Sequence, residues 1–309
     1  MKAIRIHEFG GPEVMRLDEV AKPTPGPGEV LIAVKAASLN PVDYKTREGK
    51  FPPVKADQLP LVLGRDVAGV ATAFGEGASA LAVDDEVYAM LPTEVGAFAE
   101  WVAIPARLVA KKPKSLDMLQ AASVPLAALT AWQGLFDHGG LRAGQSVLIH
   151  GASGGVGLFA VQFARAAGAQ VFATCSVGQK ALVEEIGATR AIDYKNERFE
   201  EIARELDLVF DLVGGETQDR SWRTLKRGGA LICTMQEPDQ GKAEAAGVRA
   251  ERYTAEPRGD QLAEIGKMID DGQVRVILDK VFPLDEAADA ENHLQNDHVV
   301  GKVVLSVGG

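Results

Sequence analysis

Up to about residue 120, apolar positions come in short runs broken by glycine and proline, as in Val30-Leu31-Ile32-Ala33-Val34, Val67-Ala68-Gly69-Val70-Ala71 and Glu86-Val87-Tyr88-Ala89. That spacing predicts an antiparallel, barrel-like β domain. The stretch Pro23-Thr24-Pro25-Gly26-Pro27-Gly28 loses backbone donors at its prolines and predicts a loop leading into the strand at Val30. Beyond about residue 124 the period changes. Strand-like runs at 146–150, 170–175, 190–194, 208–213 and 230–235 alternate with helical stretches such as 156–167 and 179–186, each followed by a glycine suited to a helix C-cap. The alternation predicts βαβ crossovers and a parallel, doubly wound sheet. A further β-like run at 248–254 precedes a helix at 259–271, and the tail returns to short runs at 276–281 and 302–307 around a helix beginning near Asp285.

The 309 residues, 46% hydrophobic and 25% charged, suffice for two packed domains rather than a disordered chain. A net charge of −10 disfavours nucleic acid and anionic membrane as partners. Cys175 and Cys233 are too few for a disulfide framework or a four-cysteine zinc lobe, and they read as small apolar residues of a reducing compartment, the cytoplasm. Charges interrupt the first residues, and no run reaches about 18 apolar residues, so neither a signal peptide nor a membrane span is expected.

The strand at 146–150 runs into Gly151-Ala152-Ser153-Gly154-Gly155-Val156-Gly157 and then a helix, the context that a dinucleotide-binding turn requires. Gly154 lets the backbone approach a pyrophosphate, Gly157 allows close helix–strand packing, and the region of Ser153, Gly154, Gly155 and Val156 offers the helix-start amides to the anion. The same residues also spell G-x-S-x-G. Ser153 is therefore also a candidate hydrolase nucleophile, with Asp211 and then His293 or His298 in the required order, although no HGGG-type oxyanion sequence stands nearby.

An NAD site wants an acid about 20 residues past the glycines to accept from the ribose hydroxyls. None occurs between Gly157 and Glu184; the second strand instead ends Thr174-Cys175-Ser176-Val177-Gly178-Gln179-Lys180. Ser176 and Lys180, with Tyr194 closing the next strand, are donors suited to a 2′-phosphate, so NADPH is the expected cofactor. Val213, at the end of the 208–213 run, is a further cofactor-binding candidate.

These residues and their surroundings resemble the medium-chain dehydrogenase/reductase superfamily, in particular its zinc-free quinone oxidoreductase branch, which includes enone and alkenal reductases. Asn40-Pro41-Val42-Asp43-Tyr44-Lys45 resembles the active-site segment of that branch. Gly64-Arg65-Asp66-Val67-Ala68-Gly69-Val70 resembles the segment that reads Gly-His-Glu in zinc alcohol dehydrogenases, and Pro125-Leu126-Ala127-Ala128-Leu129-Thr130-Ala131-Trp132 resembles the linker helix that reaches the nicotinamide ribose, with Thr130 as the matching polar residue. The resemblance implies an α/β protein with a GroES-like β-barrel domain at 1–123, completed by about 273–309, and a Rossmann doubly wound parallel sheet at 124–272. It also implies a homodimer, for which 248–254 is the edge strand that another copy would extend.

Zinc-dependent relatives use Cys near Asn40 and His at Arg65, together with a structural four-cysteine cluster, so no metal site is expected. Without a metal, a quinone or α,β-unsaturated carbonyl suits hydride transfer because the developing charge spreads to oxygen. Asn40, Tyr44 and Lys45 are the candidate donors. Asp43 reads as a loop-fixing residue, and the adjacent Arg65 and Asp66 read as an ion pair. Some members of the branch carry Tyr where this chain has Phe51, so that proton donor is missing. A nucleotide-binding protein without turnover is the non-catalytic alternative.

Overall fold

In a computed structural model describing residues 1–78 and 81–308, the chain divides into two compact units, Met1–Leu129 with Pro257–Gly309, and Thr130–Glu256. The chain opens with β1 (Lys2–Ile6), β2 (Met15–Glu19) and β3 (Glu29–Ser38), followed by the short helix α1 (Pro41–Arg47). It continues through β4 (Leu61–Val62), β5 (Asp66–Phe74), β6 (Glu86–Met90), β7 (Trp101–Pro105) and β8 (Val109–Lys111), and then α2 (Met118–Ala122) and α3 (Pro125–Trp132). The expected runs at Val30, Val67 and Glu86 are β3, β5 and β6, hydrogen-bonded side by side and antiparallel. Their inward residues Val30, Ile32, Val34, Val67, Ala71 and Val87 join Ile4, Ile6 and Phe98 in one apolar core.

The second unit follows the alternation of the sequence. Its strands are β9 (Ser146–His150), β10 (Gln170–Cys175), β11 (Arg190–Asp193), β12 (Leu206–Asp211), β13 (Leu225–Cys233) and β14 (Arg249–Arg252). They form one sheet in the order β11-β10-β9-β12-β13-β14, every neighbouring pair parallel. The intervening helices are α4 (Gly155–Ala166), α5 (Lys180–Glu185), α6 (Phe199–Ile202), α7 (Gly215–Ser221) and α8 (Gln240–Ala246). The chain order reverses at β9, so the turn after β9 lies at the switch point where doubly wound sheets bind ligands. β14 is an edge strand, as its sequence position implies.

The tail contains α9 (Gly259–Asp270), β15 (Leu278–Pro283), α10 (Ala287–Asn296) and β16 (Lys302–Ser306). β16 pairs antiparallel with β3, whereas β15 pairs parallel with β16 because α10 supplies the crossover. One boundary differs from expectation: the helix at 259–271 belongs with the β unit, not with the parallel sheet. Leu262, Ile265 and Ile269 are buried, and Tyr88 donates its hydroxyl to Leu262 O at 2.6 Å. Asp270 also accepts from the backbone N–H groups of Lys114 and Ser115. Periodicity shows that a helix has an apolar face, not which unit covers it. Among the described residues, no helix is long and apolar enough to cross a membrane.

Candidate active site

In the parallel-sheet unit, β9 ends at His150 and the chain turns through Gly151, whose φ of 72° suits glycine, into the N-terminus of α4. The N-cap, Gly154, carries no side chain, so no side-chain cap occupies the first amides. A Cβ on Gly154 would meet only Gly151 O, at 3.5 Å, whereas a Cβ on Gly157 would lie 2.3 Å from Gly151 O and 2.6 Å from Ala152 Cα. Gly154 therefore leaves open space over Ser153, Gly155 and Val156, while Gly157 lets α4 seat against the turn. The site fits an anionic pyrophosphate, through backbone amides and the positive end of the helix.

The neighbouring strand ends bring further residues together. Lys180, at the start of α5, is bonded to Glu197 at 2.8 Å. Glu197 also pairs with Arg190 and accepts from Asp193 N–H, and the Lys180 hydrogen bond leads the effects that hold its carboxyl below the usual range. Nothing in the sequence around Lys180 marks Glu197, which becomes its neighbour because β10 and β11 pair side by side. Ser176 precedes the short turn Val177–Gln179, and Tyr194, just past β11, is 52% exposed. Val213 is also exposed, and its N–H donates to Asp211 at 2.9 Å.

His150 lies buried beneath the glycine turn. Its Nδ1 is 3.0 Å from the Thr174 hydroxyl and its Nε2 is 2.9 Å from that of Ser221. The Ser221 hydroxyl donates to Thr217 O at 2.7 Å, so Nε2 carries the hydrogen of a neutral ring. Burial lowers the His150 pKa to about 4. An unfolded chain takes up this proton below about pH 6.5 while the folded one does not, so His150 removes stability as pH falls from about 6.5 towards 4. His150→Asn is expected to flatten that part of a urea-midpoint profile against pH, and an unchanged slope would assign it to other groups.

Two residues of the serine-hydrolase reading, Asp211 and His293, are engaged in their own surroundings. Asp211 accepts from Val213 N–H, Gly214 N–H and the Gln218 amide, which engages it in holding its own turn. Both ring nitrogens of His293 are taken, by Asp279 at 2.6 Å and Asp297 at 2.7 Å.

In the β unit, α1 starts from Asn40 in a reciprocal cap: Asp43 Oδ2 accepts from Asn40 N–H at 2.7 Å. Asp43 thus fixes the loop, as its spacing implies. Asn40 behaves differently from a substrate-facing donor. It is 2% exposed, its Nδ2 donates to Asp66 at 2.8 Å, and its Oδ1 accepts from Lys302. Lys302 also donates to Leu39 O at 2.7 Å and lies 3.6 Å from Asp66. Burial pushes its ammonium pKa down, against the opposing charges of Asp66 and Asp43.

Asp66 completes the network. It accepts from the Ser38 hydroxyl at 2.8 Å and from Leu126 N–H, near the start of α3, at 2.7 Å. Arg65 donates to Leu91 O at 2.7 Å, so these two adjacent charges hold separate parts of the fold rather than simply each other. Tyr44 is half-buried; burial, followed by the charges of Glu48 and Glu291, raises its pKa and keeps the phenol a proton donor at neutral pH. Lys45 lies beside it on α1. Asp43, Arg65 and Phe51 line a cleft with Thr46, Val54 and Thr93.

Comparison with known proteins follows this architecture. Residues 26–114 match the alcohol dehydrogenase GroES-like domain, and residues 186–305 match the family described as zinc-binding dehydrogenase. The chain is 36% identical to an NADPH-dependent alkenal/one oxidoreductase, chloroplastic, from Arabidopsis thaliana, over 99% of this chain and 79% of that one. It is 35% identical to 2-methylene-furan-3-one reductase of Solanum lycopersicum, with the same coverage. A quinone oxidoreductase structure from Coxiella burnetii superposes with a TM-score of 0.91 at 34% identity, covering 100% of this chain and 99% of that one. The chain belongs to the quinone oxidoreductase branch of the medium-chain dehydrogenase/reductase superfamily.

Zinc, present in the description of one matched family, does not fit this quinone oxidoreductase branch member's residues. At the positions that resemble the zinc-ligand segments stand Asn40, held by Asp66 and Lys302, and Arg65, a cationic side chain directed at Leu91 O. Among the described residues, no group of three His, Cys, Asp or Glu side chains is placed to hold a metal ion.

Proposed function

We propose that the protein is a zinc-independent, NADPH-dependent reductase of quinones and α,β-unsaturated carbonyls. The observation that carries this reading is the uncapped start of α4 with open space over Gly154, in a chain whose relatives include a named NADPH-dependent alkenal/one oxidoreductase. The amides of Gly154, Gly155 and Val156, with Ser153, take the pyrophosphate. Ser176, Lys180 and Tyr194 take the 2′-phosphate, which competes with Glu197 for the Lys180 ammonium. Thr130 binds the nicotinamide ribose, and Val213 flanks the cofactor.

NADPH supplies the hydride. The Tyr44 hydroxyl and the Lys45 ammonium are the donors for the oxygen on which charge collects, and Tyr44 returns the proton that completes an enol or hydroquinone. Asn40 acts one step back, fixing the start of α1 through its bonds to Asp66 and Lys302. The buried thiols, with Cys175 pushed up to about 11 and Cys233 to about 12 by burial, fit a reducing compartment, and we place the protein in the cytoplasm.

The decisive experiment is NADPH oxidation against a panel of quinones, enones and simple alcohol–carbonyl pairs. Turnover is expected with quinones or enones, faster with NADPH than with NADH and unchanged after exhaustive chelation. Tyr44→Phe is expected to reduce kcat by about a hundredfold while leaving NADPH affinity intact. Preference for simple alcohols, or chelator-sensitive turnover, overturns the reading.

The exposed edge at β14 is proposed to pair with β14 of a second copy, giving a homodimer. Sedimentation is expected to give twice the chain mass at micromolar concentration, and Ala250→Pro is expected to shift it towards monomer by removing an edge donor. A monomeric wild-type protein excludes the pairing.

A further inference from the structure

The helix that carries Thr130 changes form directly after it. α3 ends at Trp132, and Gln133–His138 wind as a π-helical turn, with Gly139 N–H reaching back to Gly134 O at 3.0 Å. An inserted hydroxyl accounts for the change. Tyr253, the residue after β14, donates its hydroxyl to Thr130 O, and Gly134 N–H is directed at the Tyr253 hydroxyl oxygen. The phenol therefore stands between a carbonyl and an amide that would pair directly in an uninterrupted α-helix.

Position 134 must lack a side chain for this to fit. A Cβ there would lie 2.5 Å from the Tyr253 hydroxyl and 2.4 Å from the Phe210 ring. The Tyr253 ring is 5% exposed and stacks with His138 at 4.4 Å and Phe210 at 6.5 Å. Two further contacts hold the strand and helix together: His138 meets Glu251 at 2.8 Å, and Gln133 and Glu256 exchange side-chain-to-backbone bonds, both of 2.9 Å. Burial keeps the phenol neutral, and hence able to donate to Thr130 O and accept from Gly134.

We propose that Tyr253 is a positioning residue for the nicotinamide half of the cofactor, its hydroxyl setting the place at which the helix presents Thr130. The inference rests on the reading of Thr130 as the ribose contact. Without the hydroxyl, Thr130 O and Gly134 N–H are free to close on each other, replacing two hydrogen bonds in series with one. The spacing across that turn then shrinks by on the order of 2 Å. A shift of about 1 Å in a positioning element is enough to alter binding and rate substantially.

The test is Tyr253→Phe, which retains both ring stacks, titrated with NADPH and with adenosine 2′,5′-bisphosphate, which lacks the nicotinamide half. NADPH affinity is expected to fall about tenfold while bisphosphate affinity stays within about twofold, and kcat is expected to fall with KM for the acceptor unchanged. Equal weakening of both ligands, or no weakening, overturns the proposal.

Thr130→Val separates the inference from the reading beneath it. If Thr130→Val loses NADPH affinity selectively and Tyr253→Phe does not, the inference falls and the Thr130 assignment stands; if Thr130→Val binds NADPH normally, both fall. Should Tyr253→Phe fail to fold, hydrogen exchange on the wild-type protein decides. NADPH is expected to slow exchange at residues 130–134 more than the bisphosphate does, and equal protection by the two ligands overturns the proposal.

Discussion

Arg47→Met is expected to destabilise the protein by about 3–5 kcal/mol, as a lower urea midpoint with little change in slope. Arg47 is fully buried. Its Nε donates to Glu291 at 2.6 Å, its remaining nitrogens reach Gly10 O at 2.7 Å and Gln295 at 3.2 Å, and Glu291 is itself 0% exposed. Methionine fills part of the same space but leaves the carboxylate without its counter-ion, next to an Oε1 that already lacks a hydrogen-bond partner.

The sign of the pH dependence follows from Glu291. Burial raises its pKa to about 7 even with Arg47 opposing. A folded-state pKa above the usual carboxyl value contributes stability that is fully present below about pH 4.5 and lost as pH rises through about 7. Removing Arg47 raises that pKa further, so the deficit of the variant should be smaller at pH 5 than at pH 8. Arg47→Met combined with Glu291→Leu should recover much of the loss, because no buried charge then remains. A deficit unaffected by pH and unrelieved in the double variant would show that Arg47 acts by packing alone.

Alanine substitutions at Gly154 and Gly157 should separate binding from folding. Gly157→Ala places a Cβ 2.3 Å from Gly151 O and 2.6 Å from Ala152 Cα. Both atoms belong to backbone, so no side chain can swing aside and α4 must back away from the turn. A lower Tm and about a hundredfold loss of NADPH affinity are expected, since the displaced amides no longer converge on the pyrophosphate. Gly154→Ala has only one neighbour, at 3.5 Å, and should leave Tm near wild type while occupying the space the cofactor needs. NADPH binding to Gly154→Ala as tightly as to wild type would refute the placement of the pyrophosphate.

The contrast between what the sequence discloses and what it hides follows contact range. The parallel strands were legible because each carries its own apolar run between turn residues, and β9, β10 and the helix after the glycine turn fall within a residue of expectation. Asp43 as a loop-fixing residue was legible for a similar reason, its partner being three residues away. The Asp66–Lys302 contact was not, because it joins β5 to the final strand, and nothing near either residue marks the other. The inward bonds of Asn40 are hidden for the same reason: its segment is recognisable, but the partners that engage its amide lie far along the chain. The π-helical turn was hidden as well, since Gly134 reads locally as a weak helix residue until Tyr253 is placed beside it.

β16 places Lys302 against Leu39 O and the Asn40 side chain, so the cap of α1 joins segments 262 residues apart. During synthesis this sets an order of assembly. All strands of the parallel sheet have been made by Arg252, whereas the amino-terminal unit still awaits a strand that comes after residue 300. The half translated first is therefore completed after the other, and Asn40 acquires its final shape only once every strand of the parallel sheet has been made.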